Sequence, residues 1–154
     1  MALFVPVAVV WVVLDLAVKA WFNQFPAGTV VGGPLAGLVR FRVAHNTGGA
    51  WGMFGDATIV LGVLSLVVCA GLLGYVLLFR RATAGEALGA ALVFAGGLGN
   101  AVDRFTLGYV VDFIDPVFID FPTFNIADIG VTCGFVIFFA ALFLRARREE
   151  AEAR

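Results

Sequence analysis

Residues 96–130 read GGLGNAVDRFTLGYVVDFIDPVFIDFPTFNIADIG. This polar stretch holds five of the seven aspartates of the chain and lies between two long apolar runs. Charged groups are costly to place at a membrane boundary, so their concentration there indicates a functional site. Of the 154 residues, 62% are hydrophobic and only 14% are charged. That composition is typical of a polytopic membrane protein and excludes an ordinary soluble domain.

Four apolar segments approach or exceed the roughly 20 residues that a membrane-spanning helix needs. They cover residues 3–22, 57–79, 84–102 and 127–145. The first segment lacks the basic start of a cleavable signal peptide, so we interpret it as a retained span. It carries Asp15 and Lys19, which are spaced i, i+4 as in a helical ion pair. We expect an all-α polytopic membrane protein in which residues 1–154 form one membrane-embedded domain.

Two polar segments connect these spans. The first, residues 23–56, contains an alternating run at residues 38–43 that predicts a strand, with residues 29–31 as its candidate partner. The second segment, residues 103–125, contains a strand-like apolar run at residues 109–114. We therefore expect a small extracytoplasmic β-sheet region beside the helices.

Basic residues flank the spans unequally, and their distribution predicts the orientation in the membrane. One side of the membrane would hold six basic residues: Arg80, Arg81, Arg145, Arg147, Arg148 and Arg154. The other side would hold four: Lys19, Arg40, Arg42 and Arg104. This bias predicts that both termini are cytoplasmic and that both polar segments lie at the outer face. The ionisable groups then gather at one depth, whereas an ion pathway would spread them across the membrane.

Carboxylates are the reactive groups that this chain holds in quantity. The only serine, Ser65, is expected mid-span and far from His45 in depth, which excludes a serine–histidine hydrolase. Two cysteines and one histidine do not provide a ligand set for zinc or an iron–sulfur cluster, so we expect no metal or cofactor. A formal net charge of -1 without a long basic patch argues against a nucleic-acid partner.

Two carboxylates that share one proton can hydrolyse a peptide bond, one as base and one as acid. Asp112 lies in an apolar run where burial would raise its pKa. Asp128 has a structural alternative, because Asn125 three residues earlier is placed to cap the fourth helix. Asp103 also has a structural alternative, as the partner in an ion pair. Asp115 and Asp120 have the pattern of solvated turn residues. The residue pattern favours Asp112 with Asp128 and leaves these alternatives open.

Three ordered blocks in this part of the chain resemble lipoprotein signal peptidase, also called signal peptidase II. They are residues 99–104 (GNAVDR), 110–113 (VVDF) and 124–128 (FNIAD), together with residues 46–48 (NTG) and Asp15 with Lys19. The resemblance implies an aspartic endopeptidase of the bacterial inner membrane. Such an enzyme removes the signal peptide of a prolipoprotein by cutting before the diacylglyceryl-modified cysteine.

By this resemblance, the catalytic residues are Asp112 and Asp128. The residues that shape or support the site are Asp15, Asn46, Asn100, Asp103, Arg104, Asn125 and Ala127. The chain departs from the family pattern in ways that affect the outline of the pocket and the response to inhibitors, at Leu16, Gly49, Trp51 and Gly52.

The implied partners are a diacylglyceryl-modified prolipoprotein and membrane lipids, and we expect a monomer. The alternative is a non-enzymatic membrane protein, either a small transporter or an assembly factor, whose aspartates form ion pairs and helix caps.

Overall fold

The structure, a computed structural model, describes residues 2–49, 53, 55, 57–78 and 82–153. Within these residues the chain forms four helices and three strands. In chain order they are α1 (Phe4–Phe22), β1 (Val30–Leu35), β2 (Val39–Asn46), α2 (Thr58–Leu78), α3 (Ala84–Thr106), β3 (Val110–Pro116) and α4 (Ile126–Glu152). Each of the four helices is long and apolar enough to cross a membrane, so the expected fold class is confirmed.

Helix α3 is the centre of the bundle, and it packs against α1, α2 and α4. Its glycines and alanines allow backbones to approach closely, as small residues do in membrane helix pairs. A Cβ atom built on Gly89 would lie 2.5 Å from the backbone nitrogen of Phe138, and one built on Gly134 would lie 2.8 Å from the carbonyl oxygen of Gly89. The outer faces of the other helices expose aliphatic side chains, as lipid-facing surfaces do, for example at Val10, Val60, Val67 and Val136.

The three strands form an antiparallel sheet in the order β1-β2-β3. The predicted pairing of residues 29–31 with residues 38–43 is confirmed by the alignment of Val30 with Arg42. Strand β3 pairs with the other edge of β2, where Ala44 lies opposite Asp112. An apolar cluster fastens the sheet to the end of α1, with the rings of Phe22 and Phe113 stacked 4.2 Å apart. The sheet is thereby held at one end of the helix bundle.

Two helices extend beyond their predicted ends. Helix α3 continues four residues past 102, so Asp103 and Arg104 lie within the helix. Both side chains are buried and find polar partners, so the helix does not break at the first charged residue. Helix α4 likewise continues through the charged tail to Glu152, supported by an Arg145–Glu149 pair spaced i, i+4. The residues Trp51, Gly52, Arg80, Arg81 and Arg154, on which some expectations rest, lie outside the described residues.

Candidate active site

Asn125 caps the N-terminus of helix α4. Its Oδ1 accepts a hydrogen bond from the backbone nitrogen of Asp128 at 3.0 Å, and Oδ2 of Asp128 accepts one from the backbone nitrogen of Asn125 at 3.1 Å. This reciprocal capping box satisfies N–H groups that the first helical turn leaves unpaired. It also holds the carboxylate of Asp128 at the positive end of the helix dipole, where an anion is stabilised. Asp128 therefore does have the structural role considered above, as part of the cap of helix α4.

The same asparagine also holds the second carboxylate. Nδ2 of Asn125 donates to Oδ1 of Asp112 over 2.6 Å and to Oδ1 of Asn100 over 3.1 Å. The remaining oxygen of Asp112 accepts from Nδ2 of Asn46 at 3.0 Å, and Oδ1 of Asp128 accepts from Nδ2 of Asn100 at 2.8 Å. Asn125 is completely buried, with an exposed fraction of 0%. One side chain thus bridges strand β3 and helix α4 and brings Asp112 and Asp128 into one network.

Both aspartates line a cavity of about 510 Å³. Its polar end is formed by the two carboxyl groups with Asn46, Asn100 and Arg104. Most of the remaining wall is apolar or weakly polar and comes from β3, the following loop and α4, at Val110, Phe121, Pro122, Thr123, Phe124, Ile129, Val131, Thr132 and Cys133. An apolar cavity with a few convergent polar groups is the usual form of a binding or catalytic site.

Asp112 titrates near neutral pH. Burial is the main cause, and the negative charge of Asp128 adds to it, so that the pKa of Asp112 rises from 3.8 to about 7. Hydrogen bonds from Asn46 and Asn125 oppose the rise but do not cancel it. The side chain is only 2% exposed. A carboxyl group with a pKa near 7 can hold a proton at physiological pH and release it during a reaction.

A buried lysine lies behind the two carboxylates. Nζ of Lys19 lies 2.9 Å from Oδ2 of Asp15, as the spacing of these residues predicts, and 3.4 Å from Oδ2 of Asp103. The structural ion pair considered for Asp103 is therefore present, with Lys19 as its cation. Lys19 also donates to Oδ1 of Asn100 over 2.7 Å. Because an ammonium group only donates, Nδ2 of Asn100 is left to face Asp128.

The two acids around Lys19 each hold another element in place. Oδ1 of Asp15 accepts from the backbone nitrogen of Ala127 at 2.8 Å, which satisfies a further N–H group at the start of α4. Oδ2 of Asp103 accepts from the backbone nitrogen of Val111 at 3.1 Å, next to Asp112 on β3. A Cβ atom on Gly99 would strike the carboxylate of Asp15, so glycine is required at that point of α3.

Arg104 is a buried cation on the wall of the cavity. Its guanidinium donates to the carbonyl oxygens of Asn100 and Gly48, both at 3.3 Å. Gly48 in turn donates through its backbone nitrogen to Oδ1 of Asn46, 3.0 Å away. Arg104 therefore supports the turn that presents Asn46 to Asp112. Nε of Arg104 has no hydrogen-bond acceptor within the described part of the chain.

The structure corrects the expectation for Asp115 and enlarges the role of Lys19. Asp115 was expected in a solvated turn, but it is buried in β3 and accepts from Nε of Arg40 and Nε of Arg42. The alternation of Arg40 and Arg42 along one strand was the available signal for such a partner. Lys19 was expected to pair with Asp15, but its bond to Asn100 depends on the packing of α1 against α3. Asp120 is exposed in the loop, as expected.

Comparison with known proteins gives consistent matches. The family described as Signal peptidase (SPase) II matches residues 7–144. A lipoprotein signal peptidase of Synechocystis sp. is 38% identical over 92% of this chain and 88% of its own, and one of Latilactobacillus sakei is 31% identical over 96% and 97%. A bacterial membrane enzyme solved by the in meso method at 2.3 Å resolution superposes with a TM-score of 0.86. That enzyme is 28% identical, and the match covers 95% of this chain and 90% of the other.

Proposed function

The chain belongs to the signal peptidase II family, and we propose that it is an intramembrane aspartic endopeptidase that removes signal peptides from bacterial prolipoproteins. The proposed cut lies on the N-terminal side of the diacylglyceryl-modified cysteine. One observation carries the proposal: Asn125 binds both Asp112 and Asp128 at the polar end of an otherwise largely apolar cavity.

The two carboxyl groups have different environments, which suggests different roles. Asp112 has its pKa raised to about 7 by burial and by the charge of Asp128, so it is the proposed proton donor. Asp128 lies in the first turn of α4, where the helix dipole favours a negative charge, so it is the proposed base. Pairs of acids whose environments differ in this way commonly divide acid and base roles.

In the proposed reaction, the carboxylate of Asp128 takes a proton from a water molecule as the water oxygen bonds to the scissile carbonyl carbon. Asp112 gives its proton to the carbonyl oxygen, and a neutral gem-diol results. When the diol collapses, Asp112 recovers a proton from one diol hydroxyl and Asp128 gives its proton to the departing amine nitrogen. The carbon–nitrogen bond breaks, and both carboxyl groups return to their starting states.

The remaining polar residues are proposed to hold this pair in place. Asn46 and Asn100 each donate to one carboxylate, and Lys19 orients Asn100. Arg104 supports Asn46 through Gly48 and lines the cavity. Asp15, Asp103 and Ala127 support the site through the backbones of α4 and β3.

The wall of the cavity suits a substrate that reaches the site from the membrane. Ile129, Thr132 and Cys133 line the cavity and are also exposed on the outer surface of α4. An opening along this helix would let acyl chains stay in lipid while the peptide reaches the carboxylates. Exposed peptide backbone is tolerated at that depth only against protein or water, and a polar cleft provides such a surface.

We further propose that the protein is a monomer in the bacterial inner membrane, with both termini cytoplasmic and the site near the outer face. The clustering of the site residues with the sheet at one end of the bundle supports a site at one membrane surface. The signal peptide's apolar core would then lie in the bilayer, with its cleavage site level with Asp112 and Asp128.

The test is cleavage of a lipid-modified precursor by purified protein in which Asp112 or Asp128 is replaced by asparagine. Each variant should lose activity by roughly a thousandfold or more, because each removes one member of a pair that acts as a unit. Asp120→Asn is the matched control, since Asp120 is exposed in the loop, and it should cleave normally. Near wild-type turnover by either dyad variant would refute the proposal.

The second candidate is a non-enzymatic transporter or assembly factor. The observation in its favour is that Asp15, Asp103 and Asp128 each have a structural partner as an ion pair or helix cap. Purified protein that cleaves a lipidated but not an unlipidated precursor would exclude this candidate. Solute or proton flux in liposomes without any cleavage would favour it.

A further inference from the structure

Arg40 and Arg42 on β2 share a single acceptor, Asp115 on β3. Nε of Arg40 and Nε of Arg42 lie 2.5 Å and 2.9 Å from Oδ2 of Asp115. Nη2 of Arg42 also donates to the hydroxyl of Thr123 at 3.2 Å. The Asp115 side chain is almost fully buried, whereas those of Arg40 and Arg42 are 41% and 39% exposed. The carboxylate of Asp115 is therefore inside the protein, whereas the guanidinium groups of Arg40 and Arg42 reach the protein surface.

This cluster carries a surplus of positive charge. Two guanidinium groups face one carboxylate, and the hydrogen bonds from both arginines keep the pKa of Asp115 low against the effect of burial, so the carboxylate stays ionised. Within the described residues, side-chain partners occupy both Nε atoms and one Nη2 atom, which leaves the other N–H groups available. Guanidinium groups with free N–H donors bind phosphate through paired hydrogen bonds.

An exposed apolar surface adjoins these arginines. It consists of five side chains at the turn between β1 and β2 and in the segment after β3, and we call it the sheet tip: Leu35, Leu38, Val117, Phe118 and Ile119. Backbone hydrogen bonds of 2.9 Å from Leu38 to Leu35 and from Val117 to Leu38 join the two parts. Leu38 is two residues from Arg40, a separation of about 7 Å along a strand.

The sheet packs against the end of the first candidate membrane span. Phe22 at the end of α1 packs against Phe41 and Phe113 of the sheet, so the sheet begins where the first span ends. Exposed aliphatic and aromatic side chains beside arginine are the composition of protein segments that rest in a membrane interface. The arginines would then face the phosphate layer while the sheet tip contacts acyl chains.

We propose that Arg40, Arg42 and the sheet tip together bind the headgroup of an anionic phospholipid. The lipid phosphate lies against the two guanidinium groups, and the sheet tip enters the boundary between headgroups and acyl chains. A lipid is the occupant, and not an acidic peptide, because the cationic pair is continuous with an exposed apolar surface; this choice rests on the proposed position of the sheet at the outer membrane surface. Within the described residues none of these side chains hydrogen-bonds Asp112 or Asp128, and Arg42 reaches the wall of the cavity only through Thr123. Lipid binding can therefore be measured separately from proteolysis.

The test measures lipid retention by the purified chain in neutral detergent micelles. Native mass spectrometry counts bound phosphatidylglycerol and phosphatidylcholine with identical acyl chains as the concentration of each lipid is raised. Wild-type protein should retain phosphatidylglycerol preferentially. The triple variant Arg40→Gln, Arg42→Gln, Asp115→Asn removes both cations together with their buried carboxylate, so no unpaired charge remains inside. It lowers the local net charge by one unit and should reduce the preference about fivefold.

Asp115→Asn alone is the matched control, because it changes the charge at the same place in the opposite direction. It keeps both guanidinium groups and an oxygen acceptor, and it should raise the preference about fivefold. Opposite shifts in the two variants support the anionic-lipid site. If wild-type protein shows no preference, or if both variants shift it in the same direction or leave it unchanged, the proposal is overturned. A thermal unfolding transition confirms that each variant is folded, and this readout is independent of cleavage.

Discussion

Nζ of Lys19 on α1 donates to Oδ1 of Asn100 on α3 over 2.7 Å, although the two residues are 81 positions apart. Nδ2 of the same amide lies 2.8 Å from Oδ1 of Asp128 on α4. Three helices are thereby connected through one amide group. Since the ammonium group cannot accept a hydrogen bond, it determines which end of the Asn100 amide faces the proposed base.

Lys19→Arg should lower kcat for a lipidated precursor by about tenfold, with little change in KM. The charge beside Asp15 and Asp103 is kept, but a planar guanidinium does not place its donors where the ammonium does. Lys19→Met is a harsher change that leaves two buried carboxylates without their cation and should destabilise the fold by roughly 3–5 kcal/mol. A Lys19→Arg enzyme with unchanged kcat would show that the orientation of Asn100 does not depend on Lys19.

Asn125→Ser separates the two roles of Asn125. Serine is also a good helix cap, so the contribution of the cap should change by only a few tenths of a kcal/mol. Loss of the buried amide donor to Asp112 and Asn100 should lower the stability of the protein by about 1–3 kcal/mol. Serine has no amide donor for Asp112, so cleavage should fall by about a hundredfold. Thermal unfolding and cleavage rates measured on the same preparation test this pair of outcomes. Asn125→Ala should lose both the cap, at about 1 kcal/mol, and the activity.

The pH dependence of cleavage should report the proton on Asp112. If Asp112 is the acid, activity requires its protonated form, and its pKa is about 7. The rate kcat/KM should therefore fall as the pH rises through about 7, and the fall should approach tenfold per pH unit at higher pH. A rate that stays level from pH 6 to pH 9 would contradict the assignment of Asp112 as the proton donor.

The stability of the folded protein should also change with pH as Asp112 titrates, and the direction of the change follows from its raised pKa. The pKa of Asp112 is higher in the folded protein than its ordinary value of 3.8, so the folded state loses stability as the pH rises from about 4 through about 7. Asp112→Asn does not titrate and should not share this loss. The melting temperature of the variant minus that of the wild type should increase from pH 5 to pH 8. A difference that is constant or decreasing over this range would contradict the raised pKa.

Gly99→Ala should destabilise the protein by about 1–3 kcal/mol, because the new methyl group would displace the carboxylate of Asp15. Asp15 would then lose its bond to Ala127 at the start of α4, and cleavage should fall together with stability. Gly74→Ala is the matched control in α2, since a Cβ atom at Gly74 meets nothing within 4 Å. The control should be neutral or slightly stabilising, because alanine favours helix over glycine.

The local pattern of the sequence was sufficient for the four spans, the β1–β2 pairing, the Asp15–Lys19 pair and the cap formed by Asn125. Hydropathy, strand alternation and i, i+4 spacing act between residues that are close along the chain, so these features can be recognised without a fold. The candidate chemistry was also restricted by the sequence, because the lack of a plausible serine nucleophile left carboxylates as the reactive groups present in quantity.

Only the tertiary structure decided that Lys19 reaches Asn100, that Asp115 is buried against Arg40 and Arg42, and that one asparagine joins Asp112 to Asp128 beside a cavity. The end of α3 also depended on it, because partners elsewhere in the chain allow the buried Asp103 and Arg104 to remain helical. The physical reason is the same in each case. The free energy of a buried polar group depends on partners that packing brings to it, and those partners can be far away in sequence.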